Sequence, residues 1–161
     1  MSTETSLVSL GDVLTKSEEW ADVTPEATYR LITVRLWGRG VVKRSEVQGV
    51  QIAAQRMRVI RTNQLIISRI DARNGALGLV TEDLDGSFAS ADFPTFHINP
   101  VRVLPKYLAW MTTTSGFVAL CRRASEGTTN RVRLQEDRFL RQQIHVPPLG
   151  EQRCVVDRIE S

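Results

Sequence analysis

Hydrophobic and polar positions alternate through much of the first hundred residues, with the two-residue period that is typical of β-strands. In "YRLITVRLW", residues 29 to 37, the side chains of Ile32, Val34 and Leu36 point to one side of a predicted strand. The segment "MRVIRTNQLIISRI", residues 57 to 70, predicts two short strands about a central Thr-Asn turn. "ALGLV" and "SFASADFPTFHI" then continue the β pattern.

The segment before residue 28 gives weaker signals. Ser9 is placed to cap a short helix over residues 10 to 14. The acidic stretch "SEEWADVTPEA", residues 17 to 27, predicts a loop in which Trp20 is held against the core.

From Pro105 onwards the apolar spacing changes to that of α-helices. Proline suits the first position of a helix, and "PKYLAWMTT" and "SGFVALCRRA" have the apolar spacing of one helical face. We predict a further short helix over residues 136 to 142 and a final strand in "QIHV". The last segment, "PPLGEQRCVVDRIE", predicts a proline-started helix with Val155, Val156 and Ile159 on one side, and it carries no stop signal before Ser161.

This order of elements predicts an α+β protein. We expect a single globular domain with a twisted, mainly antiparallel β-sheet core, followed by short helices and the start of a C-terminal helix of the coiled-coil type. A chain of 161 residues with 42% hydrophobic and 24% charged residues can bury one such core. No apolar run approaches the roughly 18 residues that span a bilayer, and the N-terminus lacks the pattern of a signal peptide, so we predict a cytoplasmic protein.

Charge changes the picture, because it is segregated along the chain. Residues 28 to 80 contain ten basic and two acidic side chains, and residues 99 to 135 contain six and one, whereas residues 1 to 27 contain one and six. Arginine accounts for 18 of the 21 basic residues. A GC-rich genome explains that ratio but not the clustering. Segregated arginine is what a nucleic-acid footprint requires, because guanidinium groups make paired contacts with guanine edges and phosphates.

No pattern in the sequence predicts catalysis. A methyltransferase needs a glycine-rich cofactor loop, and Gly38-Arg39-Gly40 is the only such spacing. The acids of "EDLD", residues 82 to 85, are adjacent in a predicted turn and are expected to be solvated rather than to converge on a metal ion. Cys121 and Cys154 predict buried, reduced thiols, and His97 and His145 predict ordinary packing residues. We therefore expect a protein that is not an enzyme and that needs no metal or cofactor of its own.

Three polar clusters at predicted turns remain as candidate DNA-binding residues, because their Arg, Asn and Thr side chains are those that read guanine, adenine and thymine edges. Their members are Arg35, Trp37, Arg39, Lys43 and Arg44; Ser68, Arg69, Arg73 and Asn74; and Arg122, Arg123, Thr128, Thr129, Asn130 and Arg131.

Each cluster also has a purely structural interpretation. Arg69 and Asp71 are spaced for an ion pair, Asn74-Gly75 suits an ordinary hairpin turn, and Trp37 suits half-buried packing. Basic residues such as those at 122 and 123 complement the C-terminus of a helix.

Two longer phrases make the sequence resemble a known family. "LIISRIDARNGALGLVTEDLDGSFASADFPTF", residues 65 to 96, and "IHVPPLGEQRCVVDRI", residues 144 to 159, are similar to the target recognition domain of type I restriction-modification specificity (S) subunits. The resemblance extends from "VSLGDVL" at residue 8 to "SEGTTNRVRL" at residues 125 to 134. Its most specific element is Pro-Pro-Leu-Gly-Glu-Gln, which in that family marks entry into a long helix.

The resemblance implies a non-catalytic reader of double-stranded DNA in a phage-defence system. Such a protein recognises one half of a split DNA site and positions methyltransferase (M) subunits, which bind S-adenosylmethionine, and through them a restriction (R) subunit. It divides the chain into a recognition domain, residues 1 to 148, and the start of a conserved spacer helix, residues 149 to 161. Because such subunits have two recognition domains, the chain is expected to be either an excised domain or a natural half-subunit that pairs with another copy.

Other functions stay open at this point. One is a recognition module of a different DNA-methylation or phage-defence system, and another is a protein-interaction domain that uses its basic loops. Within the main interpretation, "SRIDARNG" is phrasing common to the family, so Ser68, Arg69 and Asp71 are candidates for scaffold or phosphate contacts. We place base readout on residues 37 to 44 and 128 to 131 as a hypothesis.

Overall fold

The computed structural model describes residues 5 to 126 and 132 to 161. The candidate residues Thr128, Thr129, Asn130 and Arg131 lie outside these ranges. The strands of the described ranges are β1 (Ser6–Ser9), β2 (Leu14–Lys16), β3 (Trp20–Asp22), β4 (Thr28–Val34), β5 (Val41–Gln48), β6 (Arg56–Val59), β7 (Leu65–Ile67), β8 (Leu77–Leu79), β9 (Phe88–Ala89), β10 (Thr95–Ile98), β11 (Ser125–Glu126), β12 (Arg133–Leu134) and β13 (Gln143–Val146). The helices are α1 (Pro105–Met111), α2 (Ser115–Arg123), α3 (Glu136–Arg141) and α4 (Leu149–Glu160).

The strands form two larger sheets and two strand pairs. One sheet has five strands in the order β3-β6-β9-β4-β5, and the other has four in the order β2-β10-β7-β8. β1 pairs with β13, and β11 pairs with β12. Among the described residues every pairing is antiparallel except that of β4 with β9. The prediction of an α+β fold with a mainly antiparallel core is confirmed.

Strand β7 lies between two hydrophobic cores. Its three residues, Leu65, Ile66 and Ile67, are all 0% exposed. Because side chains alternate along a strand, Leu65 and Ile67 pack into the core that the helices cover, whereas Ile66 packs into a second core with Ile32 and Ile60. The continuous apolar run "LII" is therefore buried on both faces, as expected for a strand in the interior of a protein.

The helices begin where the sequence predicts. Pro105 occupies the first turn of α1, and the Thr114 side chain caps α2 by accepting a 3.3 Å hydrogen bond from the backbone nitrogen of Phe117. Of the helices in the described ranges, none is both long and apolar enough to cross a membrane.

Gln152, in the Pro-Pro-Leu-Gly-Glu-Gln phrase, fixes α4 to the chain before α1. Its side chain is 0% exposed and accepts a 2.8 Å hydrogen bond from the backbone nitrogen of Leu104. Its amide nitrogen donates to the carbonyl oxygens of Arg102 and Pro147, at 3.2 and 2.8 Å. A buried amide with all these partners explains physically why glutamine is needed at this point of the phrase.

The structure corrects two of the predicted early elements. Residues 10 to 14 form a 3₁₀ turn, Leu10–Asp12, that runs into β2 instead of a helix. The acidic segment contains β3, because Trp20 pairs with Arg58 of β6. Both errors arise from cross-strand pairing with residues distant in sequence, which local patterns do not reveal.

Predictions about individual side chains also need correction. Leu36 is 37% exposed because β4 ends at Val34, so the alternation no longer applies to it. His97 and His145 are exposed rather than packed. Cys121 is buried as predicted, but Cys154 lies on the exposed side of α4, and both are free thiols. Within the described ranges, no group of three His, Cys, Asp or Glu side chains is arranged to hold a metal ion.

Candidate nucleic-acid interface

The first two polar clusters meet through backbone hydrogen bonds. The backbone nitrogen of Trp37 donates to the carbonyl oxygen of Asn74 at 2.9 Å, and that of Gly38 donates to the carbonyl oxygen of Gly75 at 3.0 Å. The turn after β4 is thereby fixed against the turn before β8. Residues that are about 37 positions apart in the sequence form one continuous loop surface.

Gly75 makes this contact possible. Its φ of 79° lies in the left-handed region, and a Cβ atom there would lie 3.1 Å from the Trp37 Cα. β7 and β8 pair as a hairpin, but their connection contains a 3₁₀ turn, Ala72–Asn74, with Gly75 as its left-handed cap. The interpretation of Asn74-Gly75 as an ordinary two-residue hairpin turn is therefore wrong.

The third cluster reaches the same place from helix α2. The Arg122 Nε donates a 3.3 Å hydrogen bond to the carbonyl oxygen of Arg73, and both arginines belong to predicted clusters. We call the face formed by these two turns and the C-terminal end of α2 the Trp37 surface. It consists of the exposed residues Arg35, Trp37, Arg39 and Arg122 and the half-buried residues Arg73 and Asn74. The Asn74 side-chain amide donates a 3.4 Å hydrogen bond to the Asp71 carboxylate.

The guanidinium groups of the Trp37 surface are not neutralised by neighbouring acids. Arg35, Arg39 and Arg122 are exposed, and no salt bridge joins any of them to a carboxylate of the described residues. The Nε of Arg73 is buried and has no hydrogen-bond partner among those residues. Positive charge held in place without an internal counter-ion favours an anionic partner.

Trp37 is the aromatic residue of this basic surface, and both its exposure and its backbone conformation are unusual. It is 63% exposed, so the interpretation as half-buried packing is wrong. Its φ of 59° is also unusual, because a bulky residue rarely adopts the left-handed conformation. A cleft of about 310 Å³ lies beside it. The cleft is lined by Trp37, Gly38, Gly75, Thr112, Thr113, Ser115, Val118 and Arg122.

Three other candidate residues have contacts or positions of their own. Lys43 pairs with Glu46 at 2.8 Å, and this contact lowers the pKa of the Glu46 carboxyl. Arg44 is the extra residue of a β-bulge, because Leu31 pairs with Ser45 whereas Ile32 pairs with Lys43. Arg123 turns away from Arg122, since adjacent positions on a helix point in different directions. It donates from Nε to the Gln142 side chain at 3.4 Å.

Ser68 and Arg69 make polar contacts within the domain. Ser68 is 5% exposed, and its Oγ accepts a 3.1 Å hydrogen bond from the backbone nitrogen of Asp71, which removes it from the exposed surface. Arg69 donates from Nη2 to Glu136 at 2.8 Å, so the expected ion pair with Asp71 is wrong. Of the two roles left open for these residues, scaffold and phosphate contact, the geometry favours the first.

A second group of arginines, which the sequence did not predict, surrounds Trp20. The guanidinium carbons of Arg56 and Arg58 each lie 4.3 Å from the centre of the Trp20 ring, a cation–π distance. Arg58 is buried, and its Nη1 donates to the carbonyl oxygen of Ser17 at 2.7 Å. Burial lowers the pKa of Arg58. The alternation of "RMRV" was the available signal, but the segment with Trp20 was interpreted as a loop.

Comparison with known proteins identifies the fold. No protein-family model matches the chain, and no curated protein matches it. Among solved structures, the HsdS subunit from Thermoanaerobacter tengcongensis superposes with a TM-score of 0.80 at 22% identity, over 98% of this chain and 41% of that one. A chain from a structure of the type I R-M system, solved to describe complex assembly and conformational transition, gives 0.78 at 23% identity, over 99% and 42%.

A third structure extends the likeness at lower similarity. The S subunit of the type I restriction-modification system from M. genitalium gives a TM-score of 0.65 at 12% identity, over 98% of this chain and 38% of that one. The chain spans about two fifths of the length of these three proteins. It therefore has the fold of one part of a type I restriction-modification S subunit.

Proposed function

We propose that this protein reads double-stranded DNA, recognising one half of a split site as the specificity component of a type I restriction-modification system. The observation that carries the proposal is the convergence of two turns and the end of helix α2, each with basic side chains, on the Trp37 surface. The fold likeness supports it, because a resemblance to S subunits and an unneutralised basic surface point independently to the same partner.

The residue chemistry of the Trp37 surface suits a duplex. Arginine makes paired hydrogen bonds to the O6 and N7 of guanine, and asparagine makes them to the N6 and N7 of adenine. Arg35, Arg39 and Asn74 are the candidates for such base contacts. Arg122 is fixed by its bond to the Arg73 carbonyl oxygen, which suits a phosphate contact that sets the register. Residues 128 to 131 remain predicted base readers.

The wider assembly is part of the same proposal. The chain would be non-catalytic and cytoplasmic, and it would position M subunits, which bind S-adenosylmethionine, and through them an R subunit. The second half-site would be read by another recognition domain or by a second copy of the chain. Helix α4, which Gln152 anchors to the domain, would begin the spacer between the two readers.

A single module of this size is expected to bind DNA weakly and with a steep salt dependence. Single DNA-binding modules bury about 600 to 1,000 Å² of protein surface, which is less than a complete dimeric reader buries. Phosphate contacts release counter-ions, so affinity falls by roughly one power of salt concentration for each contact.

Selection from a random duplex pool, at about 50 and 200 mM salt, tests the proposal. We expect enrichment of a short half-site, with weaker retention of all sequences at the higher salt. Binding without enrichment would leave a contact with phosphates only and would contradict sequence reading by this chain. No binding at the lower salt would make the basic turns a surface for an acidic protein partner.

A further inference from the structure

Trp37 has an unfavourable backbone conformation and an exposed apolar ring, and neither core needs a tryptophan at this position. Its backbone has a φ of 59°, where glycine or asparagine is far more comfortable than tryptophan. Its side chain is 63% exposed, so the ring is not used to fill either core. A residue that is strained at the backbone and unused in packing points to a role in binding.

Backbone hydrogen bonds on both sides of Trp37 fix the turn that carries the ring. Hydrogen bonds from Trp37 and Gly38 to the Asn74 and Gly75 carbonyl oxygens fix the turn on one side. On the other side, the backbone nitrogen of Arg35 donates to the Gly40 carbonyl oxygen at 2.8 Å, which closes the base of the turn. The indole is thus presented on a braced turn rather than on a free loop.

The arginines around the Trp37 ring favour an anionic partner. Arg35 and Arg39 flank it in sequence, and Arg122 shares the adjacent cleft with it. An apolar partner protein would have to bury these guanidinium groups without a counter-charge, which is costly. A DNA duplex offers phosphates to the arginines, and a base step that unstacks offers flat apolar base faces to the indole.

We propose that the Trp37 indole is a wedge, inserted against the bases of the bound duplex where it opens a base step. The proposal rests on the function proposed above and deepens it. Proteins that insert apolar side chains favour pyrimidine–purine steps, because TA and CA/TG steps unstack most easily. Part of the sequence preference would then come from how easily the DNA deforms at the step next to Trp37.

The test uses the half-site duplex enriched by selection, with 2-aminopurine, an adenine analogue whose fluorescence rises when it unstacks, substituted for each adenine of either strand in turn. We expect the 161-residue chain to raise the fluorescence at one step. Trp37→Asn should remove that rise and weaken binding by about 10- to 100-fold, the loss expected when one base–aromatic stack is removed. Trp37→Phe, which keeps an apolar ring, should retain part of both effects. Trp110→Phe, at the exposed tryptophan of α1, is the matched control and should change neither.

Stability measurements separate this role from a structural one. Because asparagine tolerates the left-handed conformation, Trp37→Asn should unfold at the same denaturant concentration as the parent or at a higher one. A large loss of stability would instead assign Trp37 to the scaffold and contradict the proposal. Specific binding with no fluorescence rise at any step would overturn the wedge but leave the DNA-reading function intact. Failure to enrich any duplex would overturn both.

Discussion

Gly75 lies so close to Trp37 that a methyl group on its Cα would approach the Trp37 Cα to 3.1 Å and the Trp37 nitrogen to 3.2 Å. The backbone of the "SRIDARNG" loop, whose phrasing resembles that of S subunits, therefore supports the loop that is expected to read DNA. The turn that contains Gly75 and the turn that contains Trp37 are therefore held together, because a shift of either turn would break the hydrogen bonds between them.

Gly75→Ala is expected to lower the free energy of unfolding by about 2 kcal/mol or more, since the left-handed conformation disfavours a Cβ and the Trp37 backbone leaves no room for it. Denaturant unfolding measures the loss. The control is Gly116→Ala in α2, where a Cβ would meet nothing within 4 Å, and stability should rise by about 0.5 to 1 kcal/mol. Equal stability of Gly75→Ala and the parent would show that the two turns are not held together.

Gln152→Ala should lower the free energy of unfolding by about 2 to 4 kcal/mol, because it leaves the Leu104 nitrogen and two carbonyl oxygens without their buried partner. Arg153→Ala, at the exposed neighbouring position, should stay within about 0.5 kcal/mol of the parent. Circular dichroism during denaturant unfolding measures both. A mild effect at Gln152, no larger than that at Arg153, would refute the anchoring of α4.

The two cysteines should differ in reactivity. Burial raises the pKa of the Cys121 thiol to about 12, whereas Cys154 is exposed on α4. Iodoacetamide at pH 8 should therefore modify Cys154 alone in the folded protein and both thiols in denaturant, as mass spectrometry of the intact chain would show. Cys154→Ser should abolish labelling of the folded state, and rapid labelling of that variant would mean that the helix-covered core opens readily.

Glu19 predicts a specific dependence of stability on pH. The hydrogen bond from Arg61 and the charge of that guanidinium lower the pKa of the Glu19 carboxyl below its ordinary 4.5. A carboxyl with a lowered pKa in the folded state stabilises the protein above its unfolded pKa, and this stabilisation is lost as pH falls through the folded value. Glu19→Gln should thus be less stable than the parent at pH 7, and the difference should shrink below about pH 4.5. A difference that is constant from pH 7 to pH 3 would contradict the ion pair.

Much of the fold could be predicted from the sequence, because many strands and helices have clear local signals, such as an apolar run or a proline at the first position. Pro105 marks the start of α1, and the apolar run at Leu65 marks β7. What could not be predicted depends on partners far along the chain. The consecutive strands β6 and β7 belong to different sheets, and β3 exists only because β6 lies beside it.

The candidate site was likewise predicted only in part. The residue types of the three clusters and their predicted position at turns could be identified from the sequence, but the exposure of each side chain could not. Ser68 is buried and bonds to the Asp71 backbone, whereas the half-buried Arg69 pairs with Glu136, which only the folded structure brings close. The meeting of Arg122 with Arg73 depends on the packing of α2 against the Ala72–Asn74 turn, which no local pattern encodes.

The Trp37 surface is proposed to read duplex DNA. The most direct measurement is the affinity of Arg35→Ala/Arg39→Ala/Arg122→Ala for the enriched duplex and for a scrambled one, as a function of salt. The matched control removes three exposed arginines from α3 and α4, as Arg141→Ala/Arg153→Ala/Arg158→Ala.

We expect the surface variant to lose its preference for the enriched duplex and to lower the salt dependence by about one power of concentration for each phosphate contact removed. The control should keep the preference. A surface variant that binds and discriminates as the parent does, or a control that loses as much, would contradict the account.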